Sequence, residues 1–97
     1  MTISARNIAY RNKGEQITLA INLVDDDGEA VTITGDVVLH YRDPDDVLTS
    51  VAGLSSSNTA YYVGTAGTDF MTPGKYRWWI EVMDNIYGPY ELEILDV

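Results

Sequence analysis

The chain contains no cysteine, which excludes disulfide staples and thiolate metal ligands. Histidine occurs once, at His40. It sits in an alternating segment beside Val38 and Arg42, with no serine partner legible along the chain, and reads as a surface or interface residue rather than a catalytic base. Basic residues are scarce: six Lys and Arg face fifteen Asp and Glu, for a formal charge of −9. Such a surface repels phosphate backbones, so no nucleic-acid partner is expected. No apolar run approaches the ~20 residues that span a bilayer. Met1-Thr2-Ile3-Ser4-Ala5-Arg6 lacks the apolar core of a secretory signal, and the expectation is synthesis in a cytoplasm without a membrane partner. Gly64 and Gly67 stand apart with no helix after them, so no phosphate-binding loop is present. Sustained helical periodicity, low-complexity tracts, linkers and internal repeats are also missing. Nothing remains from which to build a catalytic, cofactor or metal site, and the chain is not expected to be an enzyme or to take a small-molecule ligand.

What is present is period-two alternation in a chain of 97 residues, 45% of them hydrophobic. That suffices for a single domain, 1–97, with one core. Ile17, Leu19, Ile21 and Leu23 alternate with Gln16, Thr18, Ala20 and Asn22, as in a strand with one face buried. Asp25-Asp26-Asp27-Gly28 ends it with a turn, and a short apolar stretch, Val31-Thr32-Ile33, follows. Val37, Leu39 and Tyr41 alternate with Val38, His40 and Arg42 until Asp43-Pro44-Asp45-Asp46 stops the strand. Val47–Ala52 is a weaker strand and Gly53–Asn58 a serine-rich loop. Thr59–Thr65 places Tyr61 and Val63 on one side and Tyr62 on the other. Thr72-Pro73-Gly74 suits a type II turn. Lys75–Met83 is the strongest strand, its turn starts at Asp84-Asn85, and Gly88–Leu95 pairs back. Seven to eight short, mostly antiparallel strands at this spacing predict an all-β sandwich. Residues 1–12 form an arm or an edge strand, with Ile3, Ala5, Asn7 and Ala9 in alternation.

Charge is uneven along the chain. Residues 1–24 carry Arg6, Arg11 and Lys13 against Glu15, whereas the remainder carries Arg42, Lys75 and Arg77 against fourteen acids. The acidic runs Asp25–Glu29 and Asp43–Asp46 superficially suit calcium, but neither continues into a twelve-residue loop with a closing glutamate. Aspartate in hairpin turns is expected for turn geometry alone.

Two resemblances follow from these residues. Gly74-Lys75-Tyr76-Arg77-Trp78 is similar to the Gly-x-Tyr-x-Cys stretch of immunoglobulin domains, with Tyr76 at the corner tyrosine and Trp78 at the cysteine position. It implies an immunoglobulin-like β-sandwich without the inter-sheet disulfide. More broadly, residues 13–84 resemble the immunoglobulin-like domains at the N-termini of tailed-phage baseplate upper proteins. The matching stretches are Lys13-Gly14-Glu15, Ile17–Leu23, Asp27-Gly28-Glu29-Ala30-Val31, Val37–Asp45 and Thr72-Pro73-Gly74-Lys75-Tyr76. This likeness implies a non-enzymatic virion protein, present in multiple copies among other virion proteins. It would act as a connector, a baseplate or tail accessory, or a capsid decoration subunit. The alternative is a bacterial surface or secreted sandwich module for adhesion or carbohydrate binding, with Tyr61, Tyr62 or Tyr87 as stacking platforms.

Alternation also predicts which side chains face where. Ile17, Leu19, Ile21, Val37, Leu39, Tyr41, Trp78, Ile80, Val82, Leu92 and Ile94 point between the sheets. Trp79 then faces out, with Arg77, Glu81 and Met83 on the same strand and His40 and Arg42 on its neighbour. Trp79, Arg77, Met83, His40 and Arg42 are the candidate interface.

Overall fold

The computed structural model describes residues 9–12, 16–65 and 69–95, and the side chains of 9–12 and 95 lie outside that description. Eight strands form: β1 (Ala9–Asn12), β2 (Gln16–Asn22), β3 (Val37–Arg42), β4 (Leu48–Ala52), β5 (Leu54–Ser56), β6 (Thr59–Thr65), β7 (Gly74–Val82) and β8 (Asn85–Leu95). No helix occurs among the described residues. One sheet has the order β1-β8-β7-β3-β4 and the other β2-β6-β5. Every pairing is antiparallel except β1 with β8. Residues 9–12 therefore pair within this chain as an edge strand, while Ile3, Ala5 and Asn7 fall outside the described residues.

The buried side of each sheet follows the alternation. Along β2, exposed Gln16, Thr18 and Asn22 bracket buried Ile17, Leu19 and Ile21. Ten of the eleven side chains expected between the sheets are buried. The eleventh, Tyr41, is half-buried and sets its ring edge against Phe70, 5.2 Å between centroids at 63°. Leu23, Ile33, Ala60, Phe70 and Tyr76 complete the core. Trp78 is fully buried with its ring 4.7 Å from that of Tyr90. Its indole N–H finds no hydrogen-bond partner among the described residues, so packing alone holds it.

The corner expected at Tyr76 forms. Its hydroxyl donates to the Thr72 carbonyl at 2.7 Å and accepts the Thr72 N–H at 3.1 Å, fixing the approach to β7. Burial pushes the Tyr76 hydroxyl pKa up, partly opposed by this bond to Thr72.

Turn chemistry departs from expectation in three places. Gly53–Asn58 is not simply a loop, because Leu54–Ser56 pairs with β6. The chain switches sheets at Gly53, where any Cβ would lie 2.8 Å from Val37 Cγ1 and 3.0 Å from the Tyr61 carbonyl. The β7–β8 turn is Met83-Asp84 rather than Asp84-Asn85. Val82 pairs with Asn85, and both turn residues have positive φ, 49° and 62°, the two-residue geometry that matches strand twist. Finally, Gly74 has φ 129° and already pairs with Ile94. Its freedom serves the first residue of β7 rather than a type II turn, whose third residue needs φ near +80°.

The two acidic turns are built alike. Asp25 Oδ1 accepts the N–H groups of Asp27 and Glu29 at 2.9 and 3.0 Å. Asp43 Oδ1 accepts those of Asp45 and Val47, both at 2.9 Å. These carboxylates close turns, and no group of three or more potential metal ligands gathers among the described residues.

Candidate functional site

The outward face of the five-stranded sheet is assembled by register. His40 on β3 lies opposite Trp79 on β7 and Ser50 on β4. On one side of this row Arg42 lies opposite Arg77 and Leu48; on the other, Val38 lies opposite Glu81 and Ala52. Arg77 in turn faces Glu91, and Glu81 faces Ile86, both on β8.

A β-bulge positions Trp79. Trp78 pairs with Tyr90 and Ile80 with Tyr87, so Gly88 and Pro89 together oppose the single residue Trp79. Bulges commonly re-aim a side chain in this way. Gly88 has φ 134°, and a Cβ there would fall 3.1 Å from Trp79 Cδ1 and 2.8 Å from the Trp78 carbonyl oxygen. Only glycine lets the β8 backbone lie this close to the indole.

Around Trp79 runs a shallow, open depression lined by His40, Arg42, Leu48, Trp79, Glu81 and Ile86. Leu48 and Ile86 are 52% and 63% exposed, so apolar surface flanks the half-buried indole on two sides. Charged groups form the rim. Arg77 Nη2 donates to Asp46 Oδ1 at 3.0 Å, and Arg42 Nη1 donates to the Asp46 carbonyl at 2.9 Å. Exposed pairs of this kind add little stability, but they hold both guanidinium groups at one edge. Lys75, Arg77 and Arg42 are the only Lys or Arg side chains the structure describes, and the sheet carrying this face holds all three.

His40 is bonded at both ring nitrogens: Nδ1 lies 2.7 Å from Ser50 Oγ and Nε2 lies 2.9 Å from Glu81 Oε1. A neutral ring donating from Nε2 to Glu81 accepts the Ser50 hydroxyl at Nδ1. The serine partner was invisible in the sequence because strand register, not spacing, brings Ser50 alongside. The connectivity is that of a nucleophile, base and acid. It lies on an open sheet face, however, whereas acyl transfer needs a cleft with donors converging on a reacting carbon. Its evident effect is to fix the imidazole beside Trp79.

Of the five residues expected at an interface, Trp79, His40, Arg42 and Arg77 share this face. Met83 does not. As a positive-φ turn residue it leaves the strand alternation, and its side chain packs against the core. Leu48 and Ile86 take its place. Their sequence signal was faint, since one sits in a weak strand and the other in a segment that reads as turn.

No protein-family model matches the chain, and no curated protein matches its sequence. Among solved structures, the Lin-41 filamin domain superposes with a TM-score of 0.65 at 17% identity, over 99% of this chain and 92% of that one. Alpha-2-macroglobulin from Escherichia coli gives 0.60 at 18% identity over 95% of this chain, which spans only 6% of that far larger protein. Identities this low speak to fold alone. The order β8-β7-β3-β4 facing β2-β6-β5 is that of the G-F-C-C′ and B-E-D strands, and the chain is an immunoglobulin-like β-sandwich.

Proposed function

We propose that this domain is a non-catalytic docking module that seats the outer face of its five-stranded sheet on another protein subunit. One observation carries the reading. Trp79 is held half-exposed over a bulge, with exposed Leu48 and Ile86 beside it and arginines at the rim. Tryptophan and arginine most often carry interface binding energy, and an apolar centre with a polar rim is the usual anatomy of such surfaces. The assembly we propose is a tailed-phage particle, in which the domain serves as connector, tail or baseplate accessory, or decoration subunit. This finer assignment rests on the sequence resemblance alone, and with it go the virion location and the multiple-copy arrangement. The test is mass spectrometry of purified particles made with wild-type chain or with Trp79→Ala. The wild type is expected in the particles, and the variant is expected to be absent while keeping its melting temperature. Normal incorporation of Trp79→Ala would remove the docking surface from consideration. Absence of the wild-type chain from particles would remove the phage assignment.

A further inference from the structure

The opposite side of the sandwich has a different chemistry. β2, β5 and β6 contain no charged residue at all, in a chain of net charge −9. Their outward side chains form one continuous face. Leu54 lies opposite Tyr61, Tyr61 lies opposite Ala20, and Val63 lies opposite Thr18. Val63 on the central strand is 38% exposed and Leu54 on the edge strand 57%, so apolar surface runs from the middle of the face to one edge. Uncharged hydroxyls and amides lie along the strands, exemplified by Thr59 Oγ1 donating to Asn22 Oδ1 at 2.7 Å, and the nearest acids, Asp36 beside Leu54 and Asp69 at Thr65, stand at the edges of the face.

We infer that this face binds a second copy of the chain, face to face about a two-fold axis. Charge selects the occupant. Two bodies of charge −9 repel wherever their acids approach, and these three strands are where neither copy brings a charge. An uncharged face is automatically complementary to itself under two-fold symmetry, as an isologous contact requires. An apolar patch on strands without charge also fits the charge depletion of interface cores. Two seven-residue strands and the three-residue β5, ~4.8 Å apart with ~3.3 Å per residue, give a face of roughly 270 Å². Two such faces bury less than a standard specific interface does, so the dimer is weak and forms only at the high local concentration of a multi-copy assembly. In such a dimer the two Trp79 faces point away from each other, each free for its own partner.

The sign of the salt dependence separates this contact from docking through the arginine-rimmed face. Screening relieves repulsion between acidic bodies, so self-association tightens with salt, whereas a contact of Arg42 and Arg77 with acidic surface weakens. The experiment is sedimentation equilibrium of the full chain from about 20 µM to about 1 mM, the range suited to a small interface. It is run at low salt and at about 0.5 M NaCl, where the screening length is about 4 Å. Wild type is expected to dimerise, more strongly at high salt. Leu54→Glu is expected to weaken the dimer at least tenfold, about 1.4 kcal/mol, with an unchanged circular dichroism spectrum. Ile86→Glu adds the same charge on the other sheet and is expected to leave the dimer within about twofold, a shift of about 0.4 kcal/mol. A monomer at all concentrations and salts overturns the inference and points to a glycan or a different protein as occupant. Equal weakening by both variants overturns it as a general charge effect. Loss of the dimer in Ile86→Glu alone transfers self-association to the Trp79 face. Particle incorporation of Leu54→Glu, expected to persist, reports on the docking proposal independently.

Discussion

The two outward faces of this sandwich obey one geometric rule and differ in everything else. Both arise because alternate residues of half-buried strands must point away from the core. On the five-stranded sheet those positions hold Trp79, His40, Arg42, Arg77, Glu81 and Ile86. On the three-stranded sheet they hold threonine, asparagine, glutamine, tyrosine, valine and leucine, without one charge. The fold needs neither set, since solvent tolerates a wide range of residues at such positions. The difference between the faces is therefore not imposed by the fold. On the proposals above, one side takes a charged and aromatic contact and the other a surface that must not repel an acidic body.

Several substitutions would break or sharpen this contrast. The largest effect should come from neighbouring tryptophans on opposite sides of one strand. Trp78→Ala is expected to cost about 3–5 kcal/mol in urea denaturation, much of the ~5–15 kcal/mol total of a domain this size. Trp79→Ala is expected to cost about 1 kcal/mol or less, as for surface substitutions generally. Equal losses would mean that Trp79 belongs to the core. Next comes Gly88→Ala, which puts a Cβ 2.8 Å from the Trp78 carbonyl oxygen at φ 134° and should cost about 1–3 kcal/mol in backbone strain. Because it also disturbs the backbone under Trp79, it should weaken docking, while self-association through the uncharged face persists.

A smaller effect is expected at the corner. Tyr76→Phe removes the hydroxyl's bonds to Thr72 and should cost about 1 kcal/mol. Burial raises the Tyr76 hydroxyl pKa in the folded chain above the ~10 of the unfolded chain. The native state thus holds this proton more tightly, and its contribution is complete below pH ~10 and lost as pH climbs through the folded value. Wild-type stability should accordingly fall above pH ~10, and Tyr76→Phe should make that decline shallower. Tyr62 and Tyr90, also raised chiefly by burial, contribute in the same direction. An unchanged alkaline slope would contradict a buried, titrating corner. Smallest in stability is Leu48→Ser, expected within about 0.5 kcal/mol of wild type. It should nevertheless weaken docking by about 1 kcal/mol, roughly fivefold, as a residue flanking the central anchor.

What could be read along the chain was what repeats along the chain. The inward positions of β2, β3, β7 and β8 follow from alternation, and so does the opposition of Trp78 and Trp79. The tyrosine corner was legible from the local pattern Gly74-Lys75-Tyr76. β5 was not, because Leu54-Ser55-Ser56 is exposed throughout and offers no apolar period. Phe70 is fully buried yet stands in a glycine- and threonine-rich connection with no alternation to mark it. The bond from Ser50 to His40 and the placement of Leu48 and Ile86 depend on which residues register sets side by side. Met83 misled for a physical reason: strand periodicity was carried one residue into a turn that has positive φ without glycine or asparagine.

The central claim is that Trp79, and not Trp78, is covered when the domain docks. Hydroxyl-radical footprinting read by mass spectrometry tests it directly, comparing free chain with chain in assembled particles. Free chain should oxidise at Trp79 and hardly at all at fully buried Trp78. In particles Trp79 should become protected along with Ile86, while Trp78 stays unchanged. Trp79 oxidised equally in the free and assembled states would contradict the account.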